Sequence, residues 1–322
     1  MTWLAWRQHR LAVLLLLGYA LLGVTGMLVL GLHVESAFTR NGLRACLTDT
    51  PVCPDTAEIV VEGFWQPGGL LRAAVRPLQF WLAGSVVLAG LLVGAPLFAR
   101  EYAQGTQRFA LTQSVGPARW YLTKLAVVAV PAVLAATALQ LAYLWLTATL
   151  GPVLRTWPRF EPGEFELRGL VLPFYTLFAV VLGAVVGLLA RRLVAAISVT
   201  LVAVALLVLV VPTLLRPHYQ PPVFEADSTE RPVAVRSWLL DSAAPNGPGT
   251  AHVWGPYSSF PACPAPNEAG LCVHGTGAVD TVYRVQPGDR FWTFQYVEAG
   301  LFLLLTAGVL ALGAWALRRR PG

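Results

Sequence analysis

Lys124, the single lysine among 322 residues, sits in Leu-Thr-Lys-Leu, so no Gly-Lys-Ser/Thr phosphate loop follows a glycine-rich turn anywhere in the chain. The polypeptide is not expected to hydrolyse ATP itself. The zinc-protease pattern His-Glu-x-x-His and the hydrolase pattern Gly-x-Ser-x-Gly are absent too. Of the four cysteines, Cys46 lies near Cys53 and Cys263 near Cys272. Two local disulfides are the economical reading, because oxidising compartments favour them. Zinc held by Cys263, Cys272, His252 and His274 is the rival, and it lacks the tight Cys-x-x-Cys spacing of structural zinc sites. No metal or cofactor is therefore expected on this chain.

The elements that carry these residues are set by composition. Hydrophobic residues make up 56% of the chain and charged ones only 12%, half the charged share of an average soluble domain. With a mean hydropathy of +0.61, the chain belongs in a bilayer. Six stretches are apolar enough over about 20 residues to cross one: 11–32, 78–99, 125–150, 170–190, 193–215 and 297–317. The first follows Arg7 and Arg10 but is as long as a full span, unlike a signal-peptide core. The expectation is an all-α, polytopic protein forming one transmembrane domain over 1–322.

Sorting the charges between spans gives an orientation. With the N-terminus inside, the inner segments hold Arg7, Arg10, Arg100, Arg108, Arg119, Lys124, Arg191, Arg192, Arg318, Arg319 and Arg320 against one acid, Glu101. The remaining twelve Lys/Arg face sixteen acids outside. Both termini are then cytoplasmic in a multi-pass protein of the cell membrane. The external segments are 33–77, 151–169 and the large loop 216–298, which places all four cysteines outside. The net charge of +6 is thus a topology signal and no footprint of nucleic-acid binding.

Inside the bilayer, ionisable residues are scarce, which argues against proton- or sodium-coupled carriers and against membrane enzymes, both of which commonly need them there. Glu298, at the outer edge of the last span, is expected at headgroup depth paired with Arg290. Gly90-x-x-x-Gly94 and Gly183-x-x-x-Gly187 each offer a flat helix face for close packing, within the chain or as a seam between two copies. Gln140, with Thr137 one turn earlier, is the clearest polar site deep in a span. It suits a substrate path between subunits or an interhelical hydrogen bond. Trp3, Leu4 and Trp6 beside Arg7, His9 and Arg10 form an interfacial segment with rings at headgroup depth and cations facing anionic lipid.

The segment 100–124 reads as a helix end, a break at Gly105, a short amphipathic piece carrying Phe109 and Leu111, and a Gly116-Pro117 turn into the next span. It is either a ledge offering a partner an apolar face with basic edges or a plain interfacial hairpin. The acid Glu101, Gly105-Thr106 four residues on, then Pro117-x-Arg119 and Lys124 resemble the cytoplasmic segment of ABC-2 type transporter permeases. The opening run from Trp3 to Arg10 is similar to the start of such permeases from actinobacteria, and a single lysine against 22 arginines fits that coding bias. The layout of six spans extends the resemblance over nearly the whole chain, although the external loops 33–77 and 216–298 are longer than the plain pattern. The resemblance implies that 100–124 couples to a separate P-loop ATPase subunit binding ATP and Mg, with Arg100, Glu101, Gly105, Thr106, Arg108, Arg119 and Lys124 as its working residues. It also implies a second permease copy or a paralogue as partner, and export of an amphipathic or lipid-like substrate. The rival is a membrane sensor or anchor whose disulfide-bonded external loops recognise a ligand without transport.

Overall fold

Six helices long and apolar enough to span a membrane account for the predicted runs. The computed structural model describes residues 2–40, 70–105, 116–149, 159–160, 163–226, 237–243 and 282–319. Thr106, Arg108 and the four cysteines lie outside the described residues. In chain order the elements are α1 (Thr2–Arg40), α2 (Leu70–Leu88), α3 (Pro96–Gln104), α4 (Pro117–Thr149), a short α5 (Glu164–Arg168), α6 (Val171–Ala190), α7 (Leu193–Val210) and α8 (Phe291–Arg319). Three strands, β1 (Val223–Ala226), β2 (Ser237–Ala243) and β3 (Val282–Pro287), lie between α7 and α8.

Burial ranks the helices. α6 is the central one, with 72% of its apolar window buried, whereas the windows containing α1, α7 and α8 are 28%, 22% and 28% buried. α1 shows why a peripheral helix buries so little. Its inward residues Val13, Leu16, Ala20, Met27, Val34 and Phe38 recur at helical spacing, while Leu14, Leu15, Leu21, Leu22 and Val29 are exposed. One stripe therefore packs on the bundle and the rest of the helix meets lipid. α1 and α4 run in the same direction, with Gly23 beside Leu139 and Gly31 beside Trp145 and Leu146.

Two prolines shape the spans. Pro96 lacks the amide that would continue α2 as a regular helix, and the turn before it, Ala89–Gly94, opens into a π-helix closed by an Ala95 to Gly90 bond of 2.8 Å. That joins α2 and α3 into one span. Pro212 does the same in Val211–Leu215, beyond α7, and a 3₁₀ turn Arg216–His218 follows. Such turns rotate the residues after them relative to the preceding helix face.

At the opposite wall, Gly90 and Gly94 face Gly183 and Gly187 of α6. A Cβ on Gly94 would lie 2.5 Å from the Val180 carbonyl oxygen, and one on Gly187 2.4 Å from that of Ala95. Both small-residue grooves are filled inside the chain, which leaves neither open as a seam between two copies. The tight turn between α6 and α7 is made by Arg191, whose φ of 55° caps α6 in the left-handed conformation.

The three strands form an antiparallel sheet in the order β1-β3-β2. The stretch Tyr283–Trp292 runs through β3 and a 3₁₀ turn into the start of α8. Val285 is buried, Gln286 donates to the carbonyls of Pro217 and Gln220, and only with Phe291 does α8 begin. Trp238 of β2 stacks on Phe160, ring centroids 5.6 Å apart, and seats the sheet on the bundle.

Candidate functional site

At the basic end of the bundle, α3 stops at Gly105. Its φ of 68° is the left-handed conformation that ends a helix, and its amide bonds the Tyr102 carbonyl. A Cβ there would meet nothing within 4 Å, so backbone geometry and not crowding favours glycine. The chain returns at Gly116, whose carbonyl accepts the Trp120 amide, and Pro117 opens α4.

The two limbs are tied together. Glu101, in the last turn of α3, forms an ion pair with Lys124, in the second turn of α4, and both side chains are buried. Lys124 also stands 5.0 Å over the Trp120 ring, and Phe98 packs on Trp120 and Tyr121 at 5.2 and 5.5 Å. His9 of α1 is buried beside Lys124 and Arg100. Arg100 and Arg119 remain exposed, one on each limb. The arrangement holds the base of the segment between Gly105 and Gly116 at a fixed width, with cations displayed at its rim. Removing either partner of this buried pair would leave the other's charge uncompensated.

A family model described as ABC-2 membrane transporter related matches residues 16–216, well over half of the chain. The chain belongs to that family. Comparison with curated proteins and with solved structures returns no match. In this ABC-2 related protein the matched part contains the whole of segment 100–124 and ends on Arg216, the hub of a second cluster at the opposite end of the bundle.

That cluster is built around α5. Arg216 is fully buried; its guanidinium bonds Glu298 of α8 through Nε at 3.0 Å and through Nη2 at 2.8 Å, and Glu166 of α5 at 2.5 Å. Its guanidinium carbon lies 3.8 Å from the Phe165 ring centroid. Glu298 accepts further hydrogen bonds from Tyr175 and Tyr219. Burial, and then the Glu298 carboxylate, push the Tyr219 hydroxyl above its usual range, so it stays a donor. Glu298 therefore pairs with Arg216 and not with Arg290. Arg290 bonds Pro221 and Gln286 instead, and Glu298 is completely buried. The reason is the proline-bounded π and 3₁₀ turn after α7, which swings Arg216 inward.

α5 is held from the other helices as well. Glu164 accepts bonds from Gln79 of α2 and Tyr143 of α4 and pairs with Arg168, all at 2.5 Å. Gln295 of α8 bonds the Leu170 amide and the Phe165 carbonyl. Gln140 donates to the carbonyls of Gly169 and Glu166 at 2.5 and 3.3 Å. Thr137 bonds its own helix at Val133, so the two polar residues of α4 that sequence reading paired have separate jobs. Sequence reasoning missed Arg216, Glu166 and Tyr175. The signal was present in Pro212 and Pro217 around Arg216, which mark a break where a cation could leave the helix axis.

Proposed function

We propose that this chain is the membrane-spanning subunit of an ATP-driven ABC-2 exporter, working as a dimer with a second copy or a paralogue. A separate P-loop ATPase chain supplies ATP and Mg²⁺ chemistry; this chain supplies the path and the coupling. The observation that carries the reading is the buried Glu101–Lys124 pair, which closes the base of the basic ledge in a protein of this family. A segment that receives a push transmits it only if its two ends cannot spread. Gly105 permits the turn, Arg100, Arg108 and Arg119 offer charge to an acidic partner surface, and Thr106 lies just beyond the turn. Force entering α3 passes across the glycine contacts Gly94 with Val180 and Gly187 with Ala95 into central α6.

The excess of arginine at this end supports a cytoplasmic orientation for it and for both termini. The scarcity of ionisable groups between the basic ledge and the Arg216 cluster supports an amphipathic or lipid-like cargo moved outward across the cytoplasmic membrane. The test is ATP hydrolysis by the complex purified from its native membrane, comparing the parent with Glu101→Gln and Gly105→Trp. The expected result is a folded, helical protein with the partner bound but ATPase activity no longer responsive to the membrane subunit. Retained coupling in both variants would defeat the role of the ledge.

A further inference from the structure

Between the first turns of α1 and the lower half of α4 lies an open groove of about 680 Å³, lined by Trp3, Trp6, Thr123, Val127, Val130 and Pro131. Its walls are not uniformly apolar. Pro131 has no amide to give the Val127 carbonyl, and Thr123 adds a polar residue to the lining. Trp3 is 66% exposed, and Val130 and Leu134 above it present apolar surface to the bilayer.

Cations bracket the lower half. Arg7 lies one turn after Trp3, its guanidinium carbon 5.4 Å from that ring, and Arg10 lies one turn after Trp6. Arg119 shares the face of Thr123 one turn before it. The register that sets Gly23 beside Leu139, carried down two helices running in the same direction, brings Arg7 level with Thr123. Arg7, Arg10, Arg100 and Arg119 are all exposed here, and Glu101, the acid of these two limbs, is engaged with Lys124. The region carries a positive excess beside an amphipathic slot at membrane depth.

We propose that this groove is a binding site for one anionic phospholipid, with its phosphate between Arg7 and Arg119 and an acyl chain along Val127, Val130 and Pro131. The charge excess selects an anionic headgroup over a zwitterionic one, and the aromatic rings fix its depth. A lipid seated there spans α1 and α4 beside the Glu101–Lys124 pair and braces the base of the ledge. The site does not depend on the exporter reading, because its test reads lipid and not ATP turnover.

The experiment is native mass spectrometry of the full-length protein taken through mixed micelles containing equal phosphatidylglycerol and phosphatidylcholine. One phosphatidylglycerol per chain is the expected result. Arg7→Ala with Arg119→Ala lowers its retention roughly tenfold or more, on the scale of two lost headgroup contacts. Val130→Trp, which fills the groove without altering charge, lowers it too. Arg318→Ala with Arg319→Ala removes the same charge from the end of α8 and leaves retention unchanged. Equal retention of both lipids, or an equal loss in the Arg318/Arg319 variant, would overturn the proposal. So would a second copy of the chain that is released by Val130→Trp, since the groove would then be a protein interface.

Discussion

Arg216 concentrates the residue-scale physics of the molecule. A fully buried guanidinium is tolerated only because Glu166 and Glu298 take it from two sides and Phe165 stacks below. Arg216→Met is expected to cost about 3–5 kcal/mol, since it leaves the buried Glu298 and the half-buried Glu166 carboxylates without their cation. The check is a thermal melt in detergent followed by loss of monodisperse protein. The neutral triple variant, Arg216→Met with Glu166→Gln and Glu298→Gln, is expected to recover most of that loss. A triple as unstable as the single variant would show that packing and not charge sets the cost. Little of this cluster was legible in the sequence. Arg216 stands after an apolar run and before His218-Tyr219-Gln220, which reads as the start of an exposed loop, and Glu298 looks nearest to Arg290 because sequence distance hides the approach of the 3₁₀ turn after α7 to α8.

Among the elements, the span formed by α2, its π turn and α3 does the most, because it carries both the glycine seam and the ledge. Gly94→Leu is expected to abolish stable folding, as a Cβ there would sit 2.5 Å from a backbone oxygen that cannot move aside. Gly308→Ala, where nothing lies within 4 Å, is expected to be neutral or stabilising by up to about 1 kcal/mol through helix propensity. Yield and melting temperature measured side by side separate the two. Gly105→Ala belongs to a third class. It has room but must hold a left-handed φ, costing roughly 1–2 kcal/mol, and the expected loss is in ATPase coupling and not in helical content by circular dichroism. The spans themselves were legible, because 20 apolar residues in a row have few alternatives. Their ends were less so. α1 runs from Thr2 to Arg40 and α8 begins at Phe291, since polar residues at interfaces continue a helix that hydropathy alone would stop. The small sheet was not foreseen, because the polar position Gln286 of β3 is buried on its hydrogen bonds to the Pro217 and Gln220 carbonyls, contacts that sequence alone does not show.

At the scale of the whole molecule, two charged clusters cap a bundle whose middle is nearly uncharged. The basic one ties α3 to α4, and the one around Arg216 ties α5 to the end of α7 and the start of α8. On the proposed exporter reading, one end receives energy and the other closes the bundle on the far side. The same reading sets the basic end in the cytoplasm. A cysteine placed at exposed Asp289 is expected to react with an impermeant maleimide in intact cells, after the native cysteines are blocked, and one at exposed Gly116 only after the cells are opened. The reverse pattern would invert the topology.

The most direct measurement is to purify the tagged chain from its native membrane in mild detergent and identify by mass spectrometry what arrives with it. The account predicts a stoichiometric P-loop ATPase, active in ATP hydrolysis, still bound but uncoupled when Glu101 or Gly105 is replaced. A chain that arrives alone and without ATPase activity, under conditions that keep a known membrane complex intact, would contradict the exporter and favour a membrane sensor or anchor.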